Sequence, residues 1–176
     1  EYGKTLNESY NILKIGDYFK ELLKKEGYSS NQLREYYDIE GIEGAYDRSE
    51  IKVKEYLQNS EKKEEIIFDV HRDAAQTLKK EDNIIEINGK KVAKLRFVIG
   101  TNHKDWEKNL QWAVKIQKKA DEIYPGLFEP MLIDKNYYNQ DLGKYATLIE
   151  VGVEINSLEE AENSIECLVN VIKEIL

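Results

Sequence analysis

A histidine between charged residues ends a short apolar segment of the chain. The segment 66–70, IIFDV, is predicted to be a buried strand, and the motif 69–73, DVHRD, covers its carboxyl end. In open α/β sheets, ligands bind at the carboxyl ends of strands. There His71 could bind a metal ion while a carboxylate orients its second ring nitrogen, or it could shuttle a proton. The alternative is a structural hydrogen-bond cluster that terminates the strand.

A glutamate inside another apolar segment is the second candidate. Glu150 lies in the segment 148–152, LIEVG, where desolvation would penalise its charged form. Desolvation would raise the pKa of Glu150, which suits a general base near neutral pH. For this residue alone, an edge-strand glutamate that faces solvent is the simpler interpretation. If Glu150 and His71 lie on adjacent strand ends, they could together bind a cation and activate water, as metal-assisted hydrolysis requires.

Other polar or reactive residues are weaker candidates. His103 follows a predicted strand and could contact substrate or metal, although an exposed loop position explains it better. The segment 137–140, YYNQ, could bind a peptide or a sugar, or it could pack within a loop. Arg48 could reach a substrate carboxylate or form an ion pair at a helix start. Cys167 is expected near the core, because no His is placed to pair with it. The sequence contains no glycine-rich phosphate loop and no serine nucleophile elbow.

Composition restricts the class of protein. The chain has 176 residues, which fits one domain, and its net charge of −8 lacks the basic footprint of a nucleic-acid-binding protein. No apolar run is long enough to span a membrane, and residues 1–6 carry no apolar signal segment. Twelve Tyr argue against disorder, one Cys excludes a disulfide within the chain, and two His exclude a site built from His alone. We therefore expect an acidic, single-domain protein.

Periodicity and turn signals predict the elements that must position these residues. Helical spacing of apolar residues predicts helices at 10–26 and 105–123. Capping boxes predict further helices from Asp47 to about residue 58 and from Ser157 onward. Strands are predicted at 66–70, 84–87, 92–99, 128–133 and 145–151, the second and third joined by the Asn-Gly turn at 88–89. This alternation predicts an α/β fold, a three-layer sandwich with a central mixed, mainly parallel sheet and helices on both faces.

Several motifs, in order and spacing, resemble the stage II sporulation protein P family over essentially the whole chain. The motifs are AYDRS at 45–49, DVHRD at 69–73, VIGT at 98–101, WEKNL at 106–110, YPG at 124–126, YNQDL at 138–142 and LIEVG at 148–152. The resemblance implies a zinc-dependent N-acetylmuramoyl-L-alanine amidase with an associated cross-link endopeptidase activity. It also implies action on peptidoglycan outside the cytoplasmic membrane during engulfment, with a membrane anchor outside this chain and stage II sporulation protein D as partner.

The resemblance also assigns individual residues. His71 matches the zinc-binding His of DVHRD, and Glu150 matches the catalytic acid of LIEVG. Four residues match positions expected near the cleft, namely Arg72, Asp73, Asn139 and Gln140. In the expected mechanism, zinc polarises the lactyl amide and Glu150 moves a proton from water to the departing amine.

The family's first motif, His-Thr-His-x-x-Glu-Ser-Tyr, has no matching His in this chain. In one alignment, residues 5–10 are a decayed copy of the motif and Glu8 is a ligand. In the other, residues 4–17 match the segment that follows the motif, and the spacing of 11–17 favours this alignment. We therefore expect residues 1–176 to form a single amidase-like domain without the N-terminal ligand segment. The alternatives are a non-catalytic relative that binds wall peptide or a partner, and an unrelated α/β protein.

Overall fold

A computed structural model describes residues 12–37, 41, 43–60, 66–74 and 79–176. The helices are α1 (Ile12–Lys25), α2 (Ala45–Asn59), α3 (Trp106–Ile123) and α4 (Leu158–Lys173). The strands are β1 (Ile66–Asp73), β2 (Ile84–Ile87), β3 (Lys90–Ala93), β4 (Leu95–Gly100), β5 (Leu132–Asp134) and β6 (Tyr145–Val153). The two alternative N-terminal alignments, with Glu8 in one of them, concern residues that lie wholly or largely outside the described ranges.

Four strands form the main sheet in the order β1-β6-β4-β5. Strand β1 pairs in parallel with β6, β6 pairs antiparallel with β4, and β4 pairs in parallel with β5. The sheet is therefore mixed and mainly parallel, as predicted. Strands β2 and β3 form a separate hairpin. Its turn residues Asn88 and Gly89 have φ of 52° and 76°, the left-handed pair that a tight hairpin of this type requires.

Alternation along the central strands separates a core face from a polar face. The core-facing residues are fully buried: Leu95, Phe97, Ile99, Ile149 and Val151. Helices α1, α3 and α4 cover this face with the apolar stripes predicted from the sequence. Helix α2 lies on the other side, where Tyr46 is close enough to Asp69 and Glu150 to be affected by their charges. Helices thus flank the sheet on both faces, and the predicted three-layer α/β architecture is confirmed.

Capping and periodicity patterns in the sequence predicted the positions of three helices correctly. The Ser157 hydroxyl accepts from the Glu160 backbone N–H and the Glu160 carboxylate accepts from the Ser157 N–H, so the predicted capping box is present. The predicted helices at 10–26 and 105–123 correspond to α1 and α3 within two residues at each end. No helix among the described residues is long and apolar enough to cross a membrane.

Four local predictions were wrong. Helix α2 begins two residues before Asp47, after Gly44 with φ of 74°, so Asp47 lies in the first turn and is not its cap. Among the described strands only β6 pairs with β1, so β1 is an edge strand, and its residues are all half-buried. The predicted strand 92–99 is divided at Lys94, where the chain leaves the hairpin for the main sheet. The predicted strand 128–133 is reduced to β5, with Phe128 in an isolated bridge to β4.

Candidate active site

His71 and Glu150 stand side by side on the polar face of the sheet. They are direct partners in the parallel pairing of β1 with β6. Paired residues on neighbouring strands lie about 4.8 Å apart along the hydrogen-bonding direction and project to the same face. The condition stated from the sequence, that these two residues lie on adjacent strands, is therefore met. Because β6 is the second strand of the sheet, the interpretation of Glu150 as a solvent-facing edge residue was wrong.

Asp69 orients the His71 ring. Two residues apart on one strand, their side chains share a face, and His71 Nε2 lies 2.9 Å from Asp69 Oδ1. Each side chain is 41% exposed, so the pair is open to a ligand. Burial lowers the pKa of His71, but the hydrogen bond to Asp69 and the negative charges of Asp69 and Glu150 outweigh it, and the net pKa is raised. A carboxylate that holds one ring nitrogen leaves the other available for chemistry.

Glu150 is a desolvated carboxyl group with a pKa of about 7. Burial is the largest cause, and the negative charges of Asp73 and Asp69 add to it, whereas His71 and Arg96 act in the opposite direction. Its Oε2 atom is buried and has no hydrogen-bond partner among the described residues. Buried polar atoms are nearly always paired, so this orphan atom is available to a ligand or a water molecule. A carboxyl group with this pKa can both accept and return a proton near neutral pH.

Arg96 completes the charged face and was not identified from the sequence. It is the partner of Glu150 across the antiparallel β4–β6 pair. Its guanidinium lies 3.4 Å from Asp73 and 3.7 Å from Glu129, and Lys94 Nζ lies 2.9 Å from the same Glu129. In the sequence, the alternation of Lys94 and Arg96 with apolar residues indicated only that one face of the strand is exposed to solvent. The acidic partners of these two residues depend on the order of the strands, which the sequence pattern does not specify. The network holds Asp73 next to Glu150, where its charge raises the pKa of Glu150.

The cleft residues expected from the resemblance have different surroundings. Arg72 donates to the carbonyl oxygens of Val153 (2.8 Å) and Asn156 (2.5 Å), so its guanidinium fastens the end of β6. Gln140 is 2% exposed and is bonded to the main chain of β4 on both sides of its amide. Both side chains therefore bind the main chain, although Arg72 Nε is buried without a partner among the described residues. Asp73 does lie beside Glu150.

Asn139 joins the loop after β5 to helix α2. Its Nδ2 donates to the Tyr46 carbonyl oxygen and to the Ser49 hydroxyl, both at 2.9 Å. The contact brings Tyr46 and Tyr138 together, with ring centroids 5.5 Å apart. Tyr46 was not a candidate from the sequence, in which only the polar aromatic segment 137–140 indicated a binding surface in this region.

Three other candidates lie apart from this pair. His103 borders a surface depression of about 340 Å³ near the start of β6, at the opposite end of that strand from Glu150. Arg48 pairs with no carboxylate among the described residues, and it donates to the carbonyl oxygens of residues 37, 41 and 43. Cys167 is buried, as expected, and burial raises the pKa of its thiol to about 11. A thiol with this pKa is a poor nucleophile at neutral pH.

Comparison with known proteins decides the family. The family model for stage II sporulation protein P matches residues 1–173. The chain belongs to this family. It is 31% identical over 175 residues to stage II sporulation protein P of Bacillus subtilis (strain 168), a match that covers 93% of this chain and 43% of that protein. The chain therefore spans less than half the length of this relative. No solved structure matches the chain.

The zinc implied by the family resemblance fits the described residues only in part. His71, held through one nitrogen by Asp69, has the arrangement of a metal-binding histidine, and Glu150 Oε2 is an orphan beside it. However, no three His, Cys, Asp or Glu side chains within the described part of the chain are grouped to hold a metal ion. Catalytic zinc takes about three protein ligands. The described residues therefore do not by themselves provide the ligand set of a catalytic zinc ion.

Proposed function

We propose that this member of a sporulation protein family is a peptidoglycan hydrolase. Its substrate would be the amide bond between N-acetylmuramic acid and L-alanine, with an additional endopeptidase activity on the cross-links. The observation that carries the proposal is the direct pairing of His71 with Glu150, whose pKa is about 7 and whose Oε2 is buried without a partner. A carboxyl group of this kind suits amide hydrolysis, where a proton must be taken from water and delivered to the departing amine.

The residues of this chain would divide the chemistry as follows. Glu150 takes a proton from the water molecule whose oxygen attacks the amide carbon. It returns this proton to the L-alanine nitrogen as the carbon–nitrogen bond breaks, so that an amine and a carboxylic acid are released. Asp69 keeps the His71 ring in one orientation, and Arg96 limits the repulsion between Asp73 and Glu150.

Zinc remains part of the proposal, with His71 as one ligand and further ligands from residues outside the described ones. When bound, zinc would supply the positive charge that polarises the amide carbonyl and acidifies water. Metal analysis of the purified chain after dialysis tests this part. His71→Ala should lower the zinc content, while His103→Ala, the matched change at the other His, should leave it unaltered. Equal zinc in all three proteins would contradict the assignment of His71.

Digestion of purified sacculi tests the reaction itself. The protein should release stem peptides that begin with a free L-alanine amine, and the new ends can be identified by mass spectrometry of the muropeptides. Glu150→Gln should lose this cleavage, because glutamine cannot take a proton from water. Glu154→Gln changes an exposed carboxylate near the end of the same strand and should retain it. Cleavage by Glu150→Gln at the wild-type rate would refute the role of Glu150.

A non-catalytic wall-binding protein is the second candidate function. The observation that favours it is the incomplete set of metal ligands among the described residues. It predicts that the chain is retained on sacculi without producing new amine ends and contains no stoichiometric zinc.

The place of action and the partner are further proposals. We infer from the family that the protein acts outside the cytoplasmic membrane, held there by a membrane anchor, together with stage II sporulation protein D. Co-purification of the two proteins would support the partnership, and its absence under conditions where both are folded would count against it.

A further inference from the structure

Arg96 and Glu150 have complementary buried atoms without hydrogen-bond partners. Arg96 Nε carries a hydrogen that it can donate, and Glu150 Oε2 can accept one. Both atoms are buried, and neither has a partner among the described residues. The two residues are direct partners in the antiparallel pairing of β4 with β6, so their side chains lie on the same face of the sheet. Because buried polar atoms are nearly always paired, this donor and this acceptor call for a common partner.

A small cavity of about 10 Å³ is lined by both of these side chains. The other lining residues are Asp73, Asn83, Lys94, Glu129, Gly152 and Val153. A volume of this size holds about one water molecule, and a buried water makes about two to four hydrogen bonds to polar groups. A sugar or a peptide does not fit into it. The size of the cavity therefore limits its occupant to a water molecule or a single small ion.

The other charged groups that line this cavity already have partners. Two further guanidinium nitrogens of Arg96 lie 3.4 Å from Asp73 and 3.7 Å from Glu129. Lys94 Nζ lies 2.9 Å from the same Glu129. Arg96 Nε and Glu150 Oε2 are therefore the charged-group atoms of the cavity that are buried without a hydrogen bond. One donor and one acceptor form the set that a single water molecule can bridge.

The charges around the cavity disfavour an ion as its occupant. Three of the lining side chains are acidic, so they would repel an anion. Two of them are basic, and within the described part of the chain no three His, Cys, Asp or Glu side chains are grouped to hold a metal ion. A water molecule can accept a hydrogen bond from Arg96 Nε and donate one to Glu150 Oε2, which a monatomic ion cannot do.

We propose that one water molecule bridges Arg96 Nε and Glu150 Oε2, and that Arg96 positions Glu150 for proton transfer through this water. The guanidinium group is itself fixed by its ion pairs with Asp73 and Glu129. The bridge holds the Glu150 carboxyl group in one orientation, with Oε2 turned to the cavity and Oε1 left to take the proton from the attacking water. The inference rests on the proposed function and deepens it, because it names a positioning residue for the same reaction.

A high-resolution crystal structure tests the bridge apart from any cleavage. One ordered water molecule should lie about 2.5–3.2 Å from both Arg96 Nε and Glu150 Oε2. Arg96→Lys keeps the positive charge but has no Nε donor, so the water should lose one partner and the Glu150 carboxyl group should take more than one orientation. Arg34→Lys makes the same change at an arginine that pairs with Asp17, and it should leave the water and Glu150 unaltered.

Kinetics on a soluble muropeptide with an intact lactyl–alanine bond test the positioning role. Arg96→Lys should lower kcat about tenfold, the size of effect expected when one hydrogen bond to a charged group is lost. It should leave KM within about twofold of wild type, because Arg96 acts through Glu150 and does not contact the substrate. A merely structural role would lower the amount of folded protein and leave kcat per folded molecule unchanged. Arg34→Lys should retain both constants.

Several outcomes overturn this inference and leave the hydrolase proposal standing. The bridge is wrong if the cavity holds a metal ion, if no ordered water contacts both atoms, or if Arg96 Nε bonds directly to Glu150 Oε2. The positioning role is wrong if Arg96→Lys cleaves with the wild-type kcat while Glu150→Gln is inactive. If the wild-type protein cleaves nothing, the positioning role fails together with the proposed function, and the crystal structure still decides the bridge.

The wild-type chain provides the decisive measurement if Arg96→Lys does not fold. The Nε–H proton of Arg96 should then show an NMR cross-peak to a long-lived water molecule. The absence of this cross-peak would overturn the bridge.

Discussion

Replacement of Glu150 by Gln should stabilise the protein at alkaline pH. The pKa of Glu150 is about 7 in the fold against an ordinary value of 4.5, and each pKa unit corresponds to about 1.4 kcal/mol. Because the pKa of Glu150 is higher in the folded than in the unfolded state, the contribution of Glu150 to the free energy of unfolding is fully present below pH 4.5. This contribution is lost as the pH rises through 7. Relative to an uncharged side chain, Glu150 therefore costs the fold on the order of 3 kcal/mol at pH 8, where it is ionised in both states, and about 1 kcal/mol at pH 5, where it is ionised mainly in the unfolded chain. Glutamine keeps the shape of the side chain and carries no charge.

Urea unfolding at pH 5 and pH 8 measures this difference. The free energy of unfolding of Glu150→Gln, relative to wild type, should rise by about 2 kcal/mol between the two pH values. The charge of Glu150 contributes to the raised pKa of His71, so removing this charge also removes a small stabilising interaction with His71. The rise in stability of Glu150→Gln is therefore slightly reduced. Glu86→Gln changes an exposed glutamate of the separate hairpin and should show no comparable rise. A stability difference that is the same at both pH values, or that falls with pH, would refute the assignment of Glu150 as a desolvated carboxyl group.

Three further predictions follow from other contacts. Asp69→Asn removes the hydrogen bond and charge that raise the pKa of His71, so an NMR titration should show His71 losing its proton at lower pH; an unchanged titration would contradict the pairing. Gln140→Ala leaves main-chain groups of β4 unpaired and should lower the free energy of unfolding by about 1–3 kcal/mol, measured by urea unfolding. Gly152→Ala should lower the melting temperature more than Gly89→Ala, since both need positive φ, but only the new Cβ at 152 would lie 2.5 Å from a neighbouring atom. Equal losses at the two glycines would count against crowding at Gly152.

Long periodic segments allowed most of the fold to be predicted. The stripe of α4 and its Ser157 capping box are local patterns, and both are present. The wrong predictions concern positions where tertiary contacts, and not the local sequence, determine burial and helix boundaries. The segment 66–70 looked like a buried strand because it is apolar, but its position at the edge of the sheet leaves every residue half-buried. Asp47 looked like a cap because of its spacing to Glu50, but the turn at Gly44 starts the helix earlier.

The candidate site likewise has features that the sequence predicts and features that depend on tertiary structure. His71 and Glu150 could be selected from the sequence, because a His beside carboxyl groups and a Glu among apolar residues are unusual in themselves. Their adjacency depended on β6 lying between β1 and β4, an order that pattern and spacing do not specify. The same order brings Arg96 opposite Glu150.

By itself the sequence determined the element types, the α/β class, the acidic character and the two residues most suited to proton or metal chemistry, since these depend on neighbours along the chain. The tertiary structure decided which strand lies at the edge, how strongly Glu150 is desolvated, and that Tyr46 and Tyr138 contact each other. These properties arise between side chains distant in sequence, where burial and charge depend on packing across the sheet and not on local pattern.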